Sequence, residues 1–331
     1  MSKGHLSKGN LSEGHLSEGR ARAALWTRDF LLISLANLAV FTGFQMLMPT
    51  MPVYVQSLGG SETMMGLVIG IFTLSAVAIR PLVGWALDAV GRKVILLLGL
   101  AVFVFSALLY GWAPSVAALL GIRLLHGCGW GFSTTAAGTV AADVIPAERL
   151  GEGMGFFGLA GTIAMAVAPA LGLYVIDRFS FLALFGLSAS LAAVALLLAA
   201  PIGYRLPHPT DQAATPTRPA VSGRPRATFF EPGAVRPGLV TLLTNTTYGA
   251  VVTFLALYAT QQGIANIGPF FTVYAVTLAL TRPLSGVLMD RRGFDVVVVP
   301  GLICVAVAML LLSVSRHLGM FLVAAVFCGL G

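Results

Sequence analysis

Four ionisable side chains lie inside long apolar runs: Arg80, Arg123, His126 and Arg282. An embedded arginine is costly unless it is paired or faces a wet cavity, so each position marks a candidate for function. Arg123 and His126 are three residues apart and share a face of any helix that carries them. A histidine of ordinary pKa, about 6.5, responds to protons near neutrality. One reading makes Arg123 and His126 a proton-coupling pair lining a cavity. The other bonds Arg123 to backbone carbonyls and makes His126 a packing residue. Each of the 13 Asp and Glu residues lies in a loop, a tail or at the end of an apolar run, and none lies mid-run. A cation held in low dielectric needs a counter-charge, so this pattern favours a neutral, zwitterionic or anionic ligand over a permanent cation.

Polar and aromatic residues add a second set. Asn37, Phe41, Gln45 and Met48 fall on one face at i, i+4, i+8, i+11. Asn245 and Tyr248 are similarly placed in a later run. These residues either line a cavity or bond helix to helix, as polar groups in lipid also do. A third set, Gly84, Asp88, Gly91 and Arg92, ends the second apolar run, and Asp143 ends the fourth.

The elements that must position these groups are membrane spans. The chain is 57% hydrophobic and 10% charged, with a mean hydropathy of +0.89; a soluble domain carries about 25% charged residues. About 20 apolar residues cross a bilayer as a helix. The fold class is therefore all-α membrane protein. The runs are 30–55, 64–87, 93–113, 116–141, 152–176, 179–200, 238–260, 266–289 and 296–315. A tenth begins at Leu318 and is 14 residues long at Gly331. It reads as part of a crossing, and the chain as a fragment of a longer protein.

Residues 1–29 are polar, with an imperfect repeat (GHLSK, GNLSE, GHLSE), and read as a disordered cytoplasmic tail. Residues 201–237 are rich in Pro and Arg and read as a cytoplasmic linker. They divide a six-helix bundle, 30–200, from a partial second bundle, 238–331. With the N-terminus inside, all but five of the 20 Lys and Arg residues fall on the inner side; Arg178 and Arg316 lie outside, and Arg80, Arg123 and Arg282 lie within spans. This is the positive-inside pattern. The net charge of +7 therefore belongs to one membrane face and not to a nucleic-acid surface. Cys128, Cys304 and Cys328 show no metal or disulfide spacing.

The halves repeat. Arg80, Pro81, Leu82, Gly84, Asp88 and Gly91 recur as Arg282, Pro283, Leu284, Gly286, Asp290 and Gly293, each 202 positions on. Both copies follow the second span of their half on the inner side. Parallel repeats of this kind place a substrate site near the midplane between the halves.

At these residues the chain resembles the major facilitator superfamily. Gly84-Trp-Ala-Leu-Asp88-Ala-Val-Gly91-Arg92-Lys93 matches the family's loop signature between helices 2 and 3. The resemblance implies a cytoplasmic latch in which Arg92 bridges Asp88 and Asp143, with Gly84 allowing close helix approach and Asp290 as the second copy of Asp88. Arg123-Leu-Leu-His126-Gly127 resembles the family's Arg-x-x-x-Gly pattern, linked there to proton coupling. Ala164 to Leu173 is similar to the helix-5 pattern of the family's exporters, keeping Pro169 as a helix bend and Gly172, but with alanines and a leucine in place of other glycines. Met48 to Pro52 and Ala142 to Arg149 resemble the bacterial 12-helix drug:proton antiporter branch.

The resemblance implies a multi-pass, monomeric transporter of the cell membrane. It exchanges a small molecule for protons by alternating access, with the proton gradient as energy source and no cofactor. Uptake by symport, or a membrane sensor without transport, are the alternatives. No HExxH, GxSxG or Walker A sequence points to an enzyme.

Overall fold

Hydroxyl side chains start several of the helices. Thr27, Ser61, Ser115 and Ser180 each accept a hydrogen bond from the backbone N–H three residues on, at 3.1–3.4 Å. Each satisfies a donor that the first helical turn leaves open. The structure, a computed structural model, describes residues 24–203, 232–264 and 267–331. The helices are α1 (Arg28–Ser57), α2 (Glu62–Ala89), α3 (Arg92–Leu109), α4 (Val116–Val144), α5 (Leu150–Arg178), α6 (Phe181–Ala199), α7 (Val235–Gln261), α8 (Gly268–Arg292), α9 (Asp295–Val314) and α10 (Leu318–Leu330).

Eight of these helices are long and apolar enough to cross a bilayer. Helix α7 runs 27 residues, and α10 runs 13. Large apolar side chains face outward along them, among them Leu74, Leu197 and Leu310, each about 70% exposed. Lipid covers such a surface at no cost.

The repeated glycines have one shared job. Gly91 stands between α2 and α3 with φ +112°, and Gly293 between α8 and α9 with φ +89°. Both turns need a left-handed residue, which glycine adopts without a Cβ penalty.

Inside the first bundle, small residues on α4 let its neighbours approach. A Cβ at Gly129 would stand 2.9 Å from the Phe103 nitrogen of α3, and one at Gly131 would stand 2.9 Å from the Ala76 carbonyl oxygen of α2. In lipid, where burial gives helices no hydrophobic drive to associate, such close packing is a main source of cohesion. Ser188 of α6 donates to the Gly43 carbonyl of α1 at 3.0 Å.

The described residues begin at Ala24, ahead of the tail boundary expected at residue 29. Leu25 is fully buried, and Trp26 packs edge-on to Phe156 at 4.9 Å. The buried Leu25 side chain and the Trp26–Phe156 ring contact anchor the chain ahead of α1. The pentapeptide repeat lies outside the described residues, as does 204–231 of the linker. The linker's last residues are helical: a short turn at Pro232–Ala234 leads into α7.

Candidate functional site

A cavity of about 580 Å³ lies between the two halves. Helix α1 contributes Asn37, Phe41 and Gln45 at a four-residue spacing; α5 contributes Phe157, Gly158, Gly161, Thr162 and Met165. From the second half come Thr244, Asn245 and Tyr248 of α7, and Tyr274, Leu278 and Arg282 of α8. Met309 of α9 and Cys328 of α10 complete one wall. All five residues picked from the sequence as cavity candidates line this space, whereas Met48 packs against the core.

Several of them are already held in place. Asn37 donates to the Phe157 carbonyl at 3.4 Å, tying α1 to α5. Tyr248 stacks on Tyr274 with ring centres 5.7 Å apart, and its hydroxyl meets the Met165 sulfur at 3.3 Å. Thus α5, α7 and α8 meet around one aromatic wall. The lining is mostly apolar with a few converging polar groups, the usual make-up of a small-molecule site. Arg282 supplies its one charged side chain among the described residues.

Arg123 and His126 do not line the cavity. Both are fully buried inside the first bundle. Arg123 donates from Nε to the Val68 carbonyl at 3.2 Å and from Nη1 to the Tyr110 hydroxyl at 3.4 Å. Its guanidinium lies 4.8 Å from the centre of the Phe72 ring, a favourable cation–π distance. Tyr110 also bonds His126 Nδ1 at 2.6 Å, and Phe103 packs edge-on to the imidazole at 4.1 Å. The shared face was legible, but the rotation of α4 turns it towards α2 and α3. Arg123 Nη2 and His126 Nε2 have no hydrogen-bond partner among the described residues. Tyr110, the hinge of this cluster, is a residue that sequence reasoning missed; it sits after α3 with only an aromatic type to mark it.

The latch residues divide between two places. Arg92 pairs with Asp143, joining the inner ends of α3 and α4. Asp88 is exposed and takes no part in that pair. Gly84 is exposed too, and a Cβ there would meet nothing within 4 Å, so its expected close helix approach is not made among the described residues.

The second copy of the motif makes the contact instead. Asp290 accepts from the backbone N–H groups of Gly151 and Glu152 at 2.7 and 2.8 Å. These are the first turns of α5, where open N–H groups and the helix dipole favour a carboxylate. A Cβ at Gly151 would come 2.7 Å from the Gly286 carbonyl oxygen, so the two backbones touch. Arg149 grips Glu152 through a two-pronged bond at 2.9 and 2.7 Å beside the carboxylate. This is an inter-bundle closure on the face that carries Arg92, Arg149, Arg291 and Arg292.

Helix α5 continues unbroken through Pro169. Gly172, one turn on, lets α5 rest on α1: a Cβ there would stand 3.0 Å from Met46 Cα.

The comparisons with known proteins agree with this architecture. The model of the Major Facilitator Superfamily matches residues 33–331. An uncharacterized MFS-type transporter of Methanocaldococcus jannaschii is 25% identical over 296 residues, 87% of this chain and 75% of its own length. The staphylopine export protein of Staphylococcus aureus is 25% identical over 260 residues, 76% of this chain. The chain spans 64% of that exporter's length. The crystal structure of the human organic anion transporter MFSD10 (TETRAN) superposes with a TM-score of 0.66 at 20% identity, covering 92% of this chain and 84% of that one; this is a likeness of fold. With both repeat motifs, the inter-bundle cavity and a family match over nearly its whole length, the chain belongs to the Major Facilitator Superfamily.

Proposed function

We propose that this chain carries the pathway of a proton-coupled exporter of small organic molecules, working by alternating access from the cell membrane with its N-terminus in the cytoplasm. The observation that carries the reading is the cavity between the bundles, with Asp290 on the start of α5 joining the two halves at the arginine-rich face. Rocking of the bundles breaks that contact and opens the other route.

Export is favoured by the helix-5 similarity at Pro169 and Gly172 and by the likeness to a staphylopine exporter. Proton coupling is assigned to the Arg123–Tyr110–His126 cluster. It lies at the α2–α4 contact, so a change of charge there alters how those helices pack. Asn37, Phe41, Gln45, Asn245 and Tyr248 serve as substrate contacts. The inner latch consists of Asp290, with Arg92 and Asp143 bracing α3 on α4. The proton gradient is the energy source, and one chain is the working unit.

The test is flux in proteoliposomes of the full-length protein under an imposed pH gradient, with a fluoroquinolone and ethidium as probes. Counter-movement of protons and a probe is the expected result. Co-movement in one direction assigns uptake by symport instead. No proton movement with either probe overturns the coupled reading.

A further inference from the structure

We propose that Arg282 is an anion anchor and that the molecule carried is an organic anion with an aromatic or apolar body. The proposal rests on the reading of the cavity as a transport pathway and names its substrate class.

Arg282 is the one charged residue lining the cavity among the described residues; no Asp, Glu, Lys or His joins it there. Among the described residues its guanidinium makes no salt bridge or hydrogen bond, and Tyr274 is its nearest titratable neighbour along α8. The contrast with Arg123 is direct, because that side chain is spent on Val68, Tyr110 and Phe72 inside its own bundle. Arg80, the repeat mate of Arg282, is exposed and opens on a separate groove with Thr135 and Thr139. The free fork of the cavity is therefore Arg282.

Its depth fits the part. Arg282 lies about 21 Å from the outer end of α8 and about 15 Å from the inner end, at 1.5 Å per residue. That is near the midplane, where a lone charge is expensive. A carboxylate or sulfonate offset by two parallel N–H···O bonds removes that cost and fixes orientation, which a lysine would not do as well. Room for the fork is built in. Gly158 of α5 faces Arg282 Nη1, and a Cβ there would overlap it.

The body of the ligand is specified by what lies above the fork. Leu278 and Tyr274 follow Arg282 up α8 at four-residue steps. Tyr274 is stacked against Tyr248, and Phe157 and Phe41 stand across the space. Flat aromatic walls beside one cation select an amphipathic anion and offer a permanent cation no counter-charge.

The experiment uses the purified full-length protein in nanodiscs and a series built on one ring: 1-naphthoate and 1-naphthalenesulfonate, the neutral 1-naphthamide and the cation 1-naphthylmethylammonium. Binding is read by equilibrium dialysis. Wild type is expected to bind one or both anions at least tenfold more tightly than the amide, with the cation weakest. Arg282→Gln is expected to abolish that preference, and Arg282→Lys to keep part of it. Equal binding of anion and amide, tighter binding of the cation, or no binding of either anion overturns the proposal without recourse to a variant. An unchanged preference in a monodisperse Arg282→Gln protein overturns it as well. Anion binding that depends on Arg282, without coupled flux, leaves the anchor standing and removes the transport reading; coupled flux with cations alone does the reverse.

Discussion

The carboxylate of Asp290 caps the start of α5, its Oδ1 sitting 2.7 Å from the Gly151 nitrogen. The two residues come from different halves of the chain, 139 positions apart. A charged acceptor on two helix-start N–H groups is among the stronger hydrogen-bond arrangements. Its place at the seam between bundles makes it a lock whose opening carries a cost.

Replacing Asp290 with Ala removes both bonds and leaves the α5 amides open to water. The loss is about 1.5–3 kcal/mol for each bond to a charged group, less what water restores. Hydrogen exchange followed by mass spectrometry is expected to show the 147–158 segment exchanging at least tenfold faster. Unchanged protection there removes the lock.

The repeat predicts an asymmetry at its glycines. Gly286→Val drives a side chain into the Gly151 backbone. Overpacking of this kind costs about 1–3 kcal/mol, or about 5- to 150-fold in the balance of closed and open states. A Cβ at Gly84 would meet nothing within 4 Å among the described residues, and Gly84→Val is expected to cost under about 0.5 kcal/mol. Spin-label distances across the α5–α8 seam, with melting temperatures for both variants, read the difference. Equal effects of the two substitutions contradict the contact.

Tyr110→Phe strands two buried partners at once, Arg123 Nη1 and His126 Nδ1. Leaving a buried group unpaired costs about 1–3 kcal/mol each, more when it is charged. The melting temperature in detergent is expected to fall clearly, although the substitution removes a single oxygen. A fall no larger than that of an exposed substitution dismisses the cluster as a structural unit.

The Arg92–Asp143 pair is expected to matter less for stability. Its side chains are 27% and 25% exposed, and pairs at a wet surface are worth about 0–1 kcal/mol. Asp143→Asn is expected to lower the melting point only slightly, with the deficit shrinking in high salt. A large loss that salt does not change shows the pair to be buried in the working protein.

Much of this protein is determined by its sequence alone. Apolar runs must match the thickness of a bilayer, so span lengths and order are readable without coordinates. The 202-residue lag set the parallel halves, and Gly91 and Gly293 then fell at equivalent left-handed turns. The α1 face of Asn37, Phe41 and Gln45 was legible from helical periodicity, as were Asn245 and Tyr248 on α7. What periodicity cannot supply is the direction in which a face points. Arg123 and Arg282 carry the same signature, a cation within an apolar run. Only the packing of α4 on α2 and α3 turns the first inward to Tyr110, and only the meeting of α5 and α8 leaves the second open to the cavity. Likewise Gly84 and Gly286 match in sequence, yet among the described residues only Gly286 touches a partner backbone. Helix rotation and neighbour choice are long-range properties, set by which surfaces pack most closely once the spans are together in lipid.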